Sequence, residues 1–193
     1  TWKKISLDVD QLASAYGLSL SSQFVVRFQQ YDNYSIGNDG FCFDDILVQD
    51  VSSGGSSSQY AQIPYYTGFE NGLDQYWSTS SSNSAGRVQV TTANGPQAGY
   101  KHLTMDVSAN KTFAVNQAKL AVNLYGKSNV YLAFYWKELG DEYHQEDGIY
   151  FSNNGGSSFV KVMDLNGEQL TNGTWTQKIV SVDQLAAKAG LSL

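Results

Sequence analysis

A single cysteine, Cys42, rules out any disulfide within the chain. It stands in the apolar run Phe41-Cys42-Phe43, where a thiol serves as a small buried hydrophobe rather than as a nucleophile. The two histidines, His102 and His144, are too few and too far apart to build a triad, and their spacing fits no zinc signature. No Gly-rich phosphate loop follows a strand and no Gly-x-Ser-x-Gly elbow is present. Twelve Lys and Arg stand against 18 Asp and Glu, with no basic run or stripe, which excludes a nucleic-acid backbone as ligand. No apolar run is long enough for a spanning helix, so no membrane insertion is expected. Two prolines in 193 residues leave few fixed breaks in the chain.

What is present favours strands. The chain is 41% hydrophobic and 13% aromatic but only 16% charged, and Tyr, Ser, Gly, Asn, Val and Thr are plentiful. The length suits one domain, or two small ones, with a real core. A disulfide-free, polar, Lys-poor sequence of this kind is expected at a bacterial cell surface or in the extracellular space.

The first twenty residues return at the end. Thr1-Trp2 through Val9-Asp10-Gln11-Leu12-Ala13 to Gly17-Leu18-Ser19-Leu20 aligns without a gap to Thr174-Trp175 through Val182-Asp183-Gln184-Leu185-Ala186 to Gly190-Leu191-Ser192-Leu193. The offset is 173 residues, and 11 of 20 positions are identical. A long fixed period marks a tandem array, so residues 174–193 are read as the equivalent of 1–20 in the next repeat.

Along the chain, Ile5, Leu7 and Val9 alternate as a strand, with Asp10 as helix N-cap, Leu12, Ala15 and Tyr16 on one helix face, and Gly17 as the stop. The same unit is expected as strand 175–182 and helix 184–189. Strands are expected at 23–30 and 41–48, around a polar loop 31–40. The run Ser52-Ser53-Gly54-Gly55-Ser56-Ser57-Ser58 makes residues 51–64 a linker. Residues 1–50 then form a closing half and 65–193 the opening part of the next repeat. Further strands are expected around 86–92, 99–107, 113–125, 129–138, 148–152 and 158–164, the last two joined by an Asn153-Asn154-Gly155-Gly156 hairpin. Many short strands with regular turns predict an all-β, antiparallel β-sandwich with one or two short helices.

The order of motifs resembles the MAM-like and reelin-like jelly rolls, galactose-binding-like sandwiches repeated in large bacterial surface proteins. Phe69-Glu70-Asn71-Gly72-Leu73 with Trp77 matches the opening, Leu132–Glu138 and Asp147–Gly156 the middle, and Phe24–Asn33 with Asp39–Ile46 the close. The closing segment precedes the opening one here, so the order is permuted. One jelly roll is expected to close from 1–50 plus 65–173, either in cis or by exchange between chains. A linker of about 15 residues spans up to roughly 50 Å, enough for closure in cis.

The resemblance implies a structural calcium tying Glu70 to Asp44 or Asp45. By alternation Asp44 lies on the face of Ile46 and Val48 and Asp45 on the other, and the pattern does not choose between them. The acidic stretch Glu138, Asp141, Glu142, Asp147, with His144 and Glu146, reads as an exposed loop with Arg27 or Lys137 as counter-ion, or as a second metal site. Tyr31, Tyr34, Tyr60, Tyr65, Tyr66, Tyr143 and Trp77 fall near expected loops and are candidates for ligand contact or ordinary packing. Together these features predict a non-catalytic, calcium-stabilised structural or adhesive repeat, with neighbouring copies of itself as partners and fibre assembly by segment exchange. The alternative is a carbohydrate-binding, lectin-like module, with glycans or other surface proteins as partners.

Overall fold

Phe24, Val26 and Phe28 alternate with Val25, Arg27 and Gln29, so the first half of the strand turns an apolar face into the core, and the buried Gln30 and Asp32 continue that face beyond it. The computed structural model describes residues 22–33, 40–49, 59–127 and 129–191. The strand–helix unit expected in 1–20, the tip of the 31–40 loop and the Ser/Gly run 51–58 lie outside the described residues. The strands are β1 (Phe24–Asp32), β2 (Phe41–Gln49), β3 (Tyr65–Thr67), β4 (Trp77–Ser81), β5 (Gly86–Thr91), β6 (His102–Val107), β7 (Ala114–Val122), β8 (Tyr131–Glu138), β9 (Gly148–Ser152), β10 (Val160–Asp164) and β11 (Thr176–Ser181). One helix, α1 (Val182–Lys188), follows β11, and a 3₁₀ turn occupies Gly167–Gln169.

Two antiparallel sheets pack as a jelly-roll-like sandwich. Sheet A runs β10-β9-β1-β7-β4 and sheet B runs β11-β8-β2-β6-β5, with β3 paired to β2. The two strands that precede the Ser/Gly run are therefore central. β1 pairs with β7 and β9, and β2 pairs with β6 and β8. Phe28 ties the layers together, with edge contacts to Phe43 at 5.0 Å and Phe134 at 5.4 Å between ring centroids. Such pairs add about 1 kcal/mol each beyond their burial.

Strand β2 departs from the expected alternation. Its pairing with β8 shifts register between Asp44 and Leu47, and Asp45 takes a left-handed φ of 49°. An inserted residue flips the phase of a strand, and Asp tolerates this conformation better than most residues. Phe41, Phe43, Ile46 and Val48 all reach the core, so Asp44 does not share the face of Ile46 and Val48. It is delivered, with Cys42, to the outer face of sheet B.

The C-terminal copy of the repeated segment forms the edge of sheet B. β11 pairs with β8 from Thr176↔Trp136 to Ser181↔Tyr131. Ser181 caps α1, its hydroxyl accepting from the Gln184 N–H at 3.3 Å. Asp183, the equivalent of Asp10, is not the cap but a buried staple whose Oδ2 accepts from the Val130 N–H at 3.2 Å.

Candidate functional site

The carboxylates singled out on the resemblance meet around one loop. Residues 92–101 connect β5 to β6 and are gripped by side chains from four segments. Asp44 Oδ2 accepts from the Gln97 and Ala98 N–H groups at 2.9 and 3.3 Å, while its Oδ1 accepts from the Asp45 N–H. Glu70 Oε1 accepts from the Tyr100 and Lys101 N–H groups at 2.8 and 3.1 Å. Lys137 donates to the Asn94 and Gly95 carbonyls, and Trp175 Nε1 donates to Gly95 at 3.0 Å. A Cβ on Gly99 would lie 2.1 Å from Glu70 Oε1 and push that carboxylate off the loop amides, and the φ of +62° itself favours glycine. Amide donors here offset the negative charge that a cation would otherwise neutralise.

Asp44 is fully buried, and burial is the largest of the influences that push its carboxyl up to about 6; the backbone amides pull the other way. Asp45 Oδ1 accepts from the Tyr66 hydroxyl at 2.5 Å. That hydroxyl is pushed up to about 12, first by this bond, with Asp45, Asp44 and Glu70 adding negative charge. The three carboxylates thus share one neighbourhood. Among the described residues, however, no three His, Cys, Asp or Glu side chains converge as a metal cluster. Of these carboxylate oxygens, Asp45 Oδ2 and Glu70 Oε2 lie outside the bonds just described, and a calcium ion there would need carbonyls and water as well.

Beneath the same loop lies a buried polar row on sheet B. Cys42 is opposite Thr104 and Lys137. Burial pushes its thiol up to about 12, which fits an inert side chain. His102 is fully buried, its ring edge-on to Trp175 at 5.4 Å, and among the described residues neither ring nitrogen has a hydrogen-bond partner.

The acidic stretch is not an exposed loop. Glu138, Asp141 and Asp147 are buried, and only Glu142 of the four is exposed. Glu138 Oε2 accepts from the Gly140 and Asp141 N–H groups at 2.6 and 3.1 Å. Asp147 accepts from the Tyr31 N–H at 2.5 Å and the His144 N–H at 2.9 Å. Asp141 Oδ2 accepts from Gln30 at 3.3 Å. Asp141 and Asp147 staple the loop to β1, and Glu138 closes the turn that follows β8. Neither expected counter-ion serves them, because Lys137 bonds the 92–101 loop and Arg27 faces sheet A's outer surface. His144 stacks on Tyr31 with centroids 3.7 Å apart.

Of the aromatic candidates, Tyr65 and Trp77 are packing residues. Trp77 Nε1 donates to the Tyr65 hydroxyl at 2.8 Å, and that hydroxyl donates to Asp74. What sequence patterning missed is a row across the outer face of sheet A. Cross-strand pairing aligns Ser78, Lys119, Arg27, Tyr150 and Lys161. These residues come from five strands separated by up to 134 positions (27 to 161) and form no local motif. Beside them, Ser80 donates to Gln117, Gln117 to Gln29, and Gln29 to the Tyr150 hydroxyl.

No known family model, curated protein or solved structure matches the chain.

Proposed function

We propose that the chain is a non-catalytic structural repeat of a long extracellular tandem-repeat protein, whose copies join head to tail by exchanging the strand–helix segment that occurs twice in it. The observation that carries this reading is where the identities fall. Trp175, Val182, Asp183, Leu185, Ala186 and Leu191 are buried in the C-terminal copy, and all six recur as Trp2, Val9, Asp10, Leu12, Ala13 and Leu18. The N-cap Ser181 is matched by Asp8, another good capping residue. Of the positions that differ, Thr176, Gln177 and Lys178 are half-exposed, buried Val180 is matched by Leu7, and buried Ile179 and Ala187 are matched by Ser6 and Ser14. Both copies thus carry most of the side chains that seat this segment against β8, so one slot has two candidate occupants. A contact between unlike surfaces that does not close on itself builds a fibre.

Calcium belongs to the proposal as a stabiliser of the 92–101 loop through Asp44, Asp45 and Glu70. The MAM-like or reelin-like kinship remains an inference from motif order and from the sandwich. Light scattering of the full chain over a range of concentrations tests the assembly. Particle mass that rises with concentration supports exchange, and a monomer at every concentration refutes it.

A further inference from the structure

Arg27 and Lys119 are direct cross-strand partners on β1 and β7, and both point out of sheet A. Like charges placed opposite each other destabilise a sheet unless something neutralises them. Among the described residues no carboxylate pairs with either one. Lys161, the third cation of the row, is different, being bridged to Asp164. The acidic chain therefore keeps two adjacent, uncompensated cations on a half-buried surface.

The Arg27 guanidinium is held between two rings, 4.0 Å from the Tyr150 centroid and 4.1 Å from that of Phe159. Its faces are covered, its Nε is buried without an acceptor among the described residues, and what it can offer is its N–H edge. A rigid edge of this kind matches the two oxygens of a carboxylate. Lys119 supplies a point charge beside it and lines a depression of about 310 Å³. Val25 and Ala121 give its apolar walls, and the rest are Gln59, Tyr60, Ser78 and the backbone at Gly155 and Gly156. The polar walls are neutral hydrogen-bonding groups, suited to hydroxyls rather than to further charge, and the apolar ones suit the C–H face of a sugar ring. Desolvation lowers the basicity of both cations, and for Lys119 the charge of Arg27 adds to it.

We propose that this face binds an acidic sugar, the carboxylate of a uronic acid residue seated on Arg27 and Lys119 and its hydroxyls in the adjoining depression. The site does not depend on whether copies of the chain associate.

Calorimetric titration of the full chain with a galacturonate oligosaccharide tests it, with the methyl ester of the same oligosaccharide as the uncharged control. The oligosaccharide should bind, more weakly as salt rises. The ester, Lys119→Gln and Arg27→Lys should each lower affinity about tenfold or more. Arg27→Lys keeps the charge and loses only the two-pronged geometry, while Lys119 is partly exposed and its loss should leave the fold intact. No binding of the oligosaccharide, equal binding of the ester, or unchanged binding by Lys119→Gln overturns the proposal. Displacement by inorganic sulfate as effective as by free galacturonate also overturns it, because the site would then be a generic oxyanion site.

Discussion

His102 carries the clearest pH dependence. Burial, with Lys137 as a second influence, lowers its imidazole to about 4 from an ordinary 6.5. The folded chain then holds it neutral where the unfolded chain would protonate it. Stability from this residue is complete above pH 6.5 and is lost as pH falls toward 4, by about 3 kcal/mol in all. Asp44, raised to about 6, contributes the opposite slope below that pH, so the His102 part is the difference between the native chain and His102→Phe in thermal melting from pH 7 to pH 4; equal slopes in the two would contradict the assignment. Gly99 supports a second expectation. Ala there would press on Glu70 and hold an unfavourable φ, so Gly99→Ala should cost about 1–3 kcal/mol in denaturant unfolding. Part of this was legible beforehand: Cys42 as a buried inert thiol follows from its apolar neighbours. The facing of Asp44 was not, because alternation assumes an unbroken strand and the bulge at Asp45 breaks it. Nor could spacing show that Glu138 and Asp147 would turn inward, since their partners are backbone amides.

Strands with a regular alternation, such as β1, β7 and β9, are where the sequence pattern places them to within a few residues. β4 was missed because Trp77 is its only buried residue, and four hydroxyl residues follow on an exposed edge. β1 and β2 carry the core between them. Phe28→Ala should cost about 3–5 kcal/mol, since it vacates the junction of both sheets; a loss under 1 kcal/mol in chemical denaturation would mean the layers are not joined there. For the 92–101 loop, calcium should raise the melting temperature by several degrees over chelator if Asp45 and Glu70 hold it, because 1 kcal/mol corresponds to roughly 2–4 °C at this chain length. Glu70→Gln should abolish the difference. Identical melting of the native chain in calcium and chelator would leave the hydrogen bonds from Asp44, Glu70, Lys137 and Trp175 as the loop's clamp.

The Ser/Gly run reads as a boundary in the sequence, yet strands before and after it interleave in both sheets. No local pattern encodes that, because it depends on which strands reach the middle of each sheet. It also makes the repeated segment consequential, since the edge beside β8 is the one position for which the chain carries two sets of matching side chains. Light scattering on three full-length chains addresses this directly: the native chain, a Trp2→Ala, Leu12→Ala variant, and a Trp175→Ala, Leu185→Ala variant. Exchange predicts that mass grows with concentration for the native chain, that the first variant stays monomeric, and that the second assembles more readily than the native chain, because a neighbour's intact copy then competes better for the slot. Three chains that remain monomeric throughout, or that assemble equally, would contradict it.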